Sequence, residues 1–292
     1  MPEAIQPINA QNMRQRIKSY SSSPGSLILA FLVGLAALIT VLTLVFIIGY
    51  ILVKGIPSLS TDLFQLEYNS ENVSMFPSII NTILMTVLSL VIAGPLGIFA
   101  AIYLVEYAKK GNKLVSIVRV TAETLTGIPS IVYGLFGMLF FVTTLKWGFS
   151  MLAGAFTLAI MVLPVIMRTT EEALLAVPDI YREASFGLGA GRLRTIFVVI
   201  LPSAVPGILS GVILSIGRIV GETAALMYTA GTVAELPSSV MSSVRTLSLH
   251  MYTLASEGLH IDEAYATAVV LLFVVLLINW VSGRIARKIK KG

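Results

Sequence analysis

Arg218 and Glu222 follow directly on an uncharged run, Thr195 to Gly217, and stand four residues apart. On a helix that spacing puts both on one face, where they can pair. Ionisable residues beside apolar sequence of this length are costly, and they face a bundle interior, a cavity or each other. Two roles follow for the pair. One is an ion pair that fastens two helices. The other is a substrate contact, because the planar fork of an arginine suits a tetrahedral oxyanion, which makes Arg218 the first candidate to receive one. A second candidate stretch is Thr126-Gly-Ile-Pro-Ser130, where Gly and Pro interrupt helical backbone and free N–H groups for an anion. Small residues at that point equally suit close helix contacts in lipid.

Other chemistry is poorly supplied. With no Cys there is no disulfide, thiol nucleophile or thiolate metal site, and two His, His250 and His260, leave little for an imidazole site. Both are expected at the surface of a loop. The glycines from Gly187 to Gly191 lack the Lys-Ser/Thr that completes a phosphate-cradling loop. Neither a catalytic residue nor a bound cofactor or metal is expected in this chain.

The elements that must position these residues are dictated by composition. Of 292 residues, 56% are hydrophobic and 12% charged, with a mean hydropathy of +0.90. That charge density is about half of what a soluble domain carries. Disorder is excluded by the hydrophobicity, and a nucleic-acid partner is argued against despite a pI near 9.4. Crossing about 30 Å of hydrocarbon takes roughly 20 apolar residues. Six stretches free of Asp, Glu, Lys and Arg qualify: 27–53, 77–105, 128–145, 147–167, 195–217 and 264–283. Lipid satisfies no backbone hydrogen bonds, so these are read as helices, giving an all-α, multi-pass protein with one transmembrane domain over 27–283. Residues 1–26 form a polar tail that is not a cleavable signal, and 284–292 form a basic tail.

Basic residues orient the spans. Of the 20 Lys and Arg, only Lys54, Lys146, Arg218 and Arg245 lie off one face, while Asp62, Glu67, Glu71, Glu235, Glu257, Asp262 and Glu263 lie on the other. Both termini are thereby expected in the cytoplasm. Lys146, Trp147 and Gly148 make a tight hairpin between the third and fourth spans. Segment 223–234 is uncharged but too short to cross, so it either re-enters the bilayer or extends the fifth helix. Glu106 and Glu123, beside the basic loop, are expected to be solvated or paired there.

The loop 168–195 holds a short helix from Pro178 to Leu188, started by proline, with Asp179 and Glu183 toward its positive end and Gly187, Gly189 and Gly191 breaking it. The run Glu183-Ala184-Ser185, Gly189 and Val199-Ile-Leu201-Pro202 resembles the Glu-Ala-Ala…Gly…Ile-x-Leu-Pro signature of ABC-importer permeases, with Ser185 and Val199 as small departures. Thr126 to Gly137 and Arg218 to Gly231, including Thr223, look like the permeases of the phosphate-specific importer, in particular its A-type subunit. The resemblance implies a type I importer fold in which 168–195 is the coupling loop and Glu183, Ala184, Ser185, Gly189, Leu201 and Pro202 serve the ATPase contact. It further implies a prokaryotic plasma (inner) membrane, a second homologous permease, two ATP-binding subunits that use ATP and Mg, and an extracytoplasmic phosphate-binding protein. Inorganic phosphate would be the substrate. A permease for sulfate, molybdate or another oxyanion, and a secondary transporter or channel working alone, stay open. Glu222 adds a specificity argument: phosphate at neutral pH keeps a proton to donate to a carboxylate, and sulfate does not.

Overall fold

The computed structural model describes residues 24–109 and 111–289, and it is helical throughout the spans. Helix α1, Pro24–Gly55, is a continuous apolar rod of 32 residues with Lys54 in its last turn. At 1.5 Å per residue it is about 48 Å long, and its side chains are exposed along nearly its whole length.

The unit from Lys54 onward is a bundle built around two helices. Helix α2, Phe76–Ile102, takes Pro77 in its first turn and runs on through a π-helical turn, Tyr103–Tyr107. Helix α5, Met151–Leu175, is capped by the Ser150 hydroxyl, which accepts from Ala153 N. They meet through small residues. A Cβ on Gly97 would fall 2.9 Å from an Ile166 methyl. The hydroxyls of Thr82, Thr86 and Ser89 donate to carbonyls four residues back, so these polar side chains are buried without being orphaned.

Between them, α3 (Lys113–Thr126) and α4 (Ser130–Gly137, continued by a π-helical stretch Met138–Thr144) are bent 104° against each other. The break falls at Gly127-Ile128-Pro129, where proline lacks an N–H and holds Ile128 out of the helical region. The third span is therefore not the simple run 128–145. Its 15 helical residues reach about 22 Å, and only with α3 does the bent pair have the length of a span. The charges of α3, which suggest a loop in sequence, instead face α5: Arg119 pairs with Glu171, and Glu123 with Arg168. For the same reason α5 does not stop at Met167 but carries Arg168 and Glu172 on to Leu175, shortening the loop expected from 168. At its other end α5 starts at Met151, because Lys146 (φ 58°) and Gly148 (φ 66°) turn the chain and Trp147 stacks on Phe141 and meets Phe156 edge-on.

Helix α6, Asp179–Gly187, lies at one end of the bundle and is closed by Gly189 at φ 83°. Helix α7, Arg192–Val220, contains a third π-helical turn, Ile196–Ile200. After it come a short helix α8 (Ala224–Met227), an extended return, α9 (Leu247–Glu257) and α10 (Ile261–Ile289). Among the described residues five helices are long and apolar enough to cross a membrane, six if the bent pair counts as one span. The core is layered along the bundle. Ile102, Leu174 and Ile196 fill the α6 end, Met85, Leu158, Ile219 and Leu226 the middle, and Leu63, Met75, Leu247 and Ala266 the far end.

Candidate functional site

Segment 222–246 does not extend the fifth span. Helix α7 ends at Val220, Gly221 closes it, and the chain turns back into the bundle. Glu222 explains the turn. Its carboxylate accepts from Ala225 N at 3.0 Å, capping α8, while its own carbonyl accepts from the Ser248 hydroxyl at 2.6 Å. The return is then stitched to the start of α5 by Ser150 N to Thr229 O (3.0 Å) and Met151 N to Ser242 O (2.9 Å), and to α2 by Asn81 Nδ2 to Glu235 O (3.0 Å). Its fit against α4 requires glycine, since a Cβ on Gly134 would come 2.8 Å from Ala225 Cα.

This turn separates the expected partners. Arg218 lies in the last turn of α7, half-buried, and Glu222 lies beyond the helix, buried, so the i,i+4 ion pair is not formed. Among the described residues no carboxylate approaches the Arg218 guanidinium to within ion-pair distance. Its electrostatic neighbour is Tyr133 of α4, which is buried and donates its hydroxyl to Leu125 O at 2.7 Å. Leu125 immediately precedes Thr126, whose hydroxyl donates to Glu123 O at 2.7 Å, and Ser130 opens α4 on the other side of the elbow. Tyr133, which sequence reasoning passed over, thus relates the two stretches singled out by sequence: it hydrogen-bonds the elbow and lies within electrostatic reach of Arg218. Thr223, half-buried, is the residue just before α8. The chemistry available here is a cation without a counter-carboxylate, a phenol and the elbow backbone, beside a carboxylate already engaged in holding the turn.

Toward the α6 end α3 and α5 line an open cavity of about 320 Å³ whose walls include Arg119, Glu123, Arg168, Glu171 and Glu172. Every one of those charges has a partner of opposite sign. On α6 itself Glu183 and Ala184 are exposed, Ser185 Oγ lies 2.8 Å from Thr195 Oγ1, and Leu188 is 89% exposed. Leu201 and Pro202 sit inside α7, just after its π-helical turn, rather than on α6. Sequence did not single out Arg182, which binds Glu106 at 2.7 Å and donates to Leu174 O and Val177 O. The signal available was its spacing, three residues after Asp179 and one before Glu183.

At the far end His250 is fully buried, not a surface residue. Its Nε2 lies 3.2 Å from Val73 O and Arg245 Nη1 lies 3.5 Å from its Nδ1, while Arg245 donates to Thr232 O and packs on the Tyr68 ring. Burial first and the Arg245 charge second lower its pKa to about 4. His260 stays partly exposed near Glu263.

A bent third span, a small helix at one end of the bundle and a turned-in segment after the fifth span make this a multi-pass helical membrane protein. The chain belongs to the family described as "Binding-protein-dependent transport system inner membrane component", which matches residues 93–291. Among its relatives, the probable ABC transporter permease protein YqgI of Bacillus subtilis is 34% identical over 278 residues, covering 88% of this chain and 94% of that one. The phosphate transport system permease protein PstA of Pasteurella multocida is 37% identical over 240 residues, covering 81% and 85%. Among solved structures, a bacterial alginate ABC transporter in complex with its pentasaccharide-bound periplasmic protein superposes with a TM-score of 0.68 at 18% identity, covering 96% and 99% of the two chains. The inward-facing MetNI methionine ABC transporter superposes with a TM-score of 0.57 at 21% identity, covering 74% and 94%. These two likenesses concern the fold. The chain is a multi-pass, inner-membrane permease subunit of an ABC importer.

Proposed function

We propose that this permease forms half of a path for inorganic phosphate, in partnership with a second, homologous permease. Two separate ATP-binding subunits would dock on α6 and hydrolyse ATP with Mg, and an extracytoplasmic binding protein would deliver the anion. Both termini would be cytoplasmic, with α6 on that side. The observation that carries the reading is Arg218: a half-buried guanidinium with no carboxylate in ion-pair distance among the described residues, next to Tyr133 and the Thr126–Ser130 elbow. A cation kept free of a carboxylate at this depth keeps its fork available for an oxyanion. The relatives named as phosphate transport permeases support the choice of phosphate among oxyanions.

Glu222 acts here as the residue that holds the turn after α7, and its charge disfavours anions that bring no proton. Alternating access is then rocking of one permease against the other, driven from α6.

The test is radiolabelled phosphate uptake by proteoliposomes holding the complete complex with its binding protein. ATP-dependent uptake that a large excess of sulfate does not compete away is expected. Equal competition by sulfate would make this a general oxyanion permease, and uptake without the ATPase subunits would make it a secondary carrier.

A further inference from the structure

Arg182 and Glu106 take no part in the path, yet among the described residues their ion pair carries the largest set of hydrogen bonds. The Glu106 carboxylate receives Arg182 Nη2 at 2.7 Å and Nε at 3.2 and 3.4 Å. The remaining reach of the guanidinium goes to Val177 O (2.9 Å), Asp179 Oδ1 (3.1 Å) and Leu174 O (3.0 Å). One side chain on α6 therefore holds the final turn of α5 and the end of α2 together. Both partners are shielded, with side-chain exposures of 15% and 9%. In such surroundings an ion pair resists separation far more than a surface pair does.

The place where this contact lands is distinctive. Glu106 lies within the π-helical turn Tyr103–Tyr107, and three residues after Arg182 on α6 Ser185 meets Thr195, the residue before the π-helical turn Ile196–Ile200. Such turns are where a helix can change its local winding. The two attachments differ in kind. Arg182 is a charged, many-pronged link to α2, whereas Ser185 to Thr195 is a single neutral hydrogen bond. The outward residues of α6, including Ile180, Tyr181 and Phe186, are exposed and uninvolved in either.

We propose that the Arg182–Glu106 pair is the strut that carries displacement of α6 into α2, so that Arg182 is a positioning residue of the transport cycle. This rests on the reading of α6 as the ATPase-docking helix. Movement imposed on α6 is passed on stiffly through the guanidinium and loosely through the hydroxyl pair, and the π-helical turn at Glu106 converts it into a change of winding at the end of α2.

The experiment compares the wild-type complex with Glu106→Gln, which keeps shape and loses charge, and measures phosphate taken up per ATP hydrolysed. Glu106→Gln is expected to assemble with the ATPase subunits and to hydrolyse ATP, with uptake per ATP reduced about tenfold, within the usual range of site-to-site couplings. An assembled variant with the wild-type ratio overturns the proposal. The chain has no natural cysteine, so Glu106→Cys with Arg182→Cys admits a short bis-thiol linker, which is expected to raise the ratio above that of the unlinked double variant. If Glu106→Gln fails to assemble and the linker recovers nothing, the pair is a folding element only and the proposal falls. A wild-type complex that hydrolyses ATP but moves no phosphate defeats the substrate reading instead. The strut is then judged by whether Glu106→Gln loses stimulation of ATP hydrolysis by the binding protein.

Discussion

The two charged regions of this permease are built on opposite rules. At the α6 end Arg119 meets one carboxylate, and Arg168 and Arg182 meet two each. In the middle of the bundle Arg218 meets none among the described residues, and the nearby carboxylate of Glu222 is spent on a backbone N–H. Pairing cancels local field and stiffens helices against each other. Leaving a cation unpaired preserves field for a ligand at the cost of desolvation. In the function proposed above, the first region transmits force and the second meets an anion.

The sharpest way to break this contrast is to remove the unpaired cation. Arg218→Ala is expected to lower phosphate uptake about 100-fold, equivalent to roughly 3 kcal/mol of lost charge-assisted hydrogen bonding, while the complex still assembles and hydrolyses ATP. Arg218→Lys, a point charge without the fork, should recover part of the loss. If Arg218→Ala transports normally in reconstituted vesicles, the mid-bundle region is structural and the contrast disappears.

A comparable energy resides in the buried histidine, but it acts on stability. His250 has its pKa lowered from 6.5 to about 4 in the fold. Between those values the unfolded chain binds the proton and the folded one does not. The stabilisation is therefore complete above pH 6.5 and is lost as the pH falls toward 4, by at most about 3 kcal/mol. Thermal melting of the detergent-solubilised protein should show this decline, and His250→Gln should flatten it. A decline of the same size in His250→Gln would place the acid sensitivity elsewhere.

Next in size is the seat of the turned-in segment. Gly134→Val puts a side chain against Ala225 backbone and should cost about 1–3 kcal/mol as an overpacked contact. Uptake should fall together with melting temperature. Gly94→Val on α2, where nothing lies within 4 Å, is the matched control and should leave both near wild type.

How far these features were legible beforehand depended on what the signal was made of. Length of uncharged sequence is a one-dimensional property that lipid imposes directly, and a proline before and glycines after a short run are local punctuation, so most spans and the helix near Pro178 to Leu188 could be read without tertiary knowledge. The third span failed that test because the charges of α3 find partners on α5, which no window along the chain can register. The Arg218–Glu222 spacing misled for a related reason. A four-residue separation implies a pair only if the helix continues, and Gly221, with the capping carboxylate behind it, ends the helix between them. Tyr133, Arg182 and His250 gained significance only from contacts at long sequence separation: Glu106 is 76 residues from Arg182, and Val73 is 177 from His250.

The smallest effect sharpens the comparison from its paired side. Arg168 reaches Glu172 at 3.2 Å and Glu123 at 3.7 Å, but its side chain is 54% exposed and theirs 65% and 72%. Solvent screens such pairs, and holding three long side chains in place offsets much of the attraction, so Arg168→Ala should cost less than about 1 kcal/mol and change uptake less than about threefold. Arg119, whose partner Glu171 is largely buried, should cost more when replaced by Ala, because a carboxylate is left behind without its cation. Melting curves in low and high salt separate the two. The Arg168→Ala difference should vanish in high salt, and the Arg119→Ala difference should persist. If both vanish, the α6-end charges are a screened surface like any other, and pairing there does not stiffen α3 against α5.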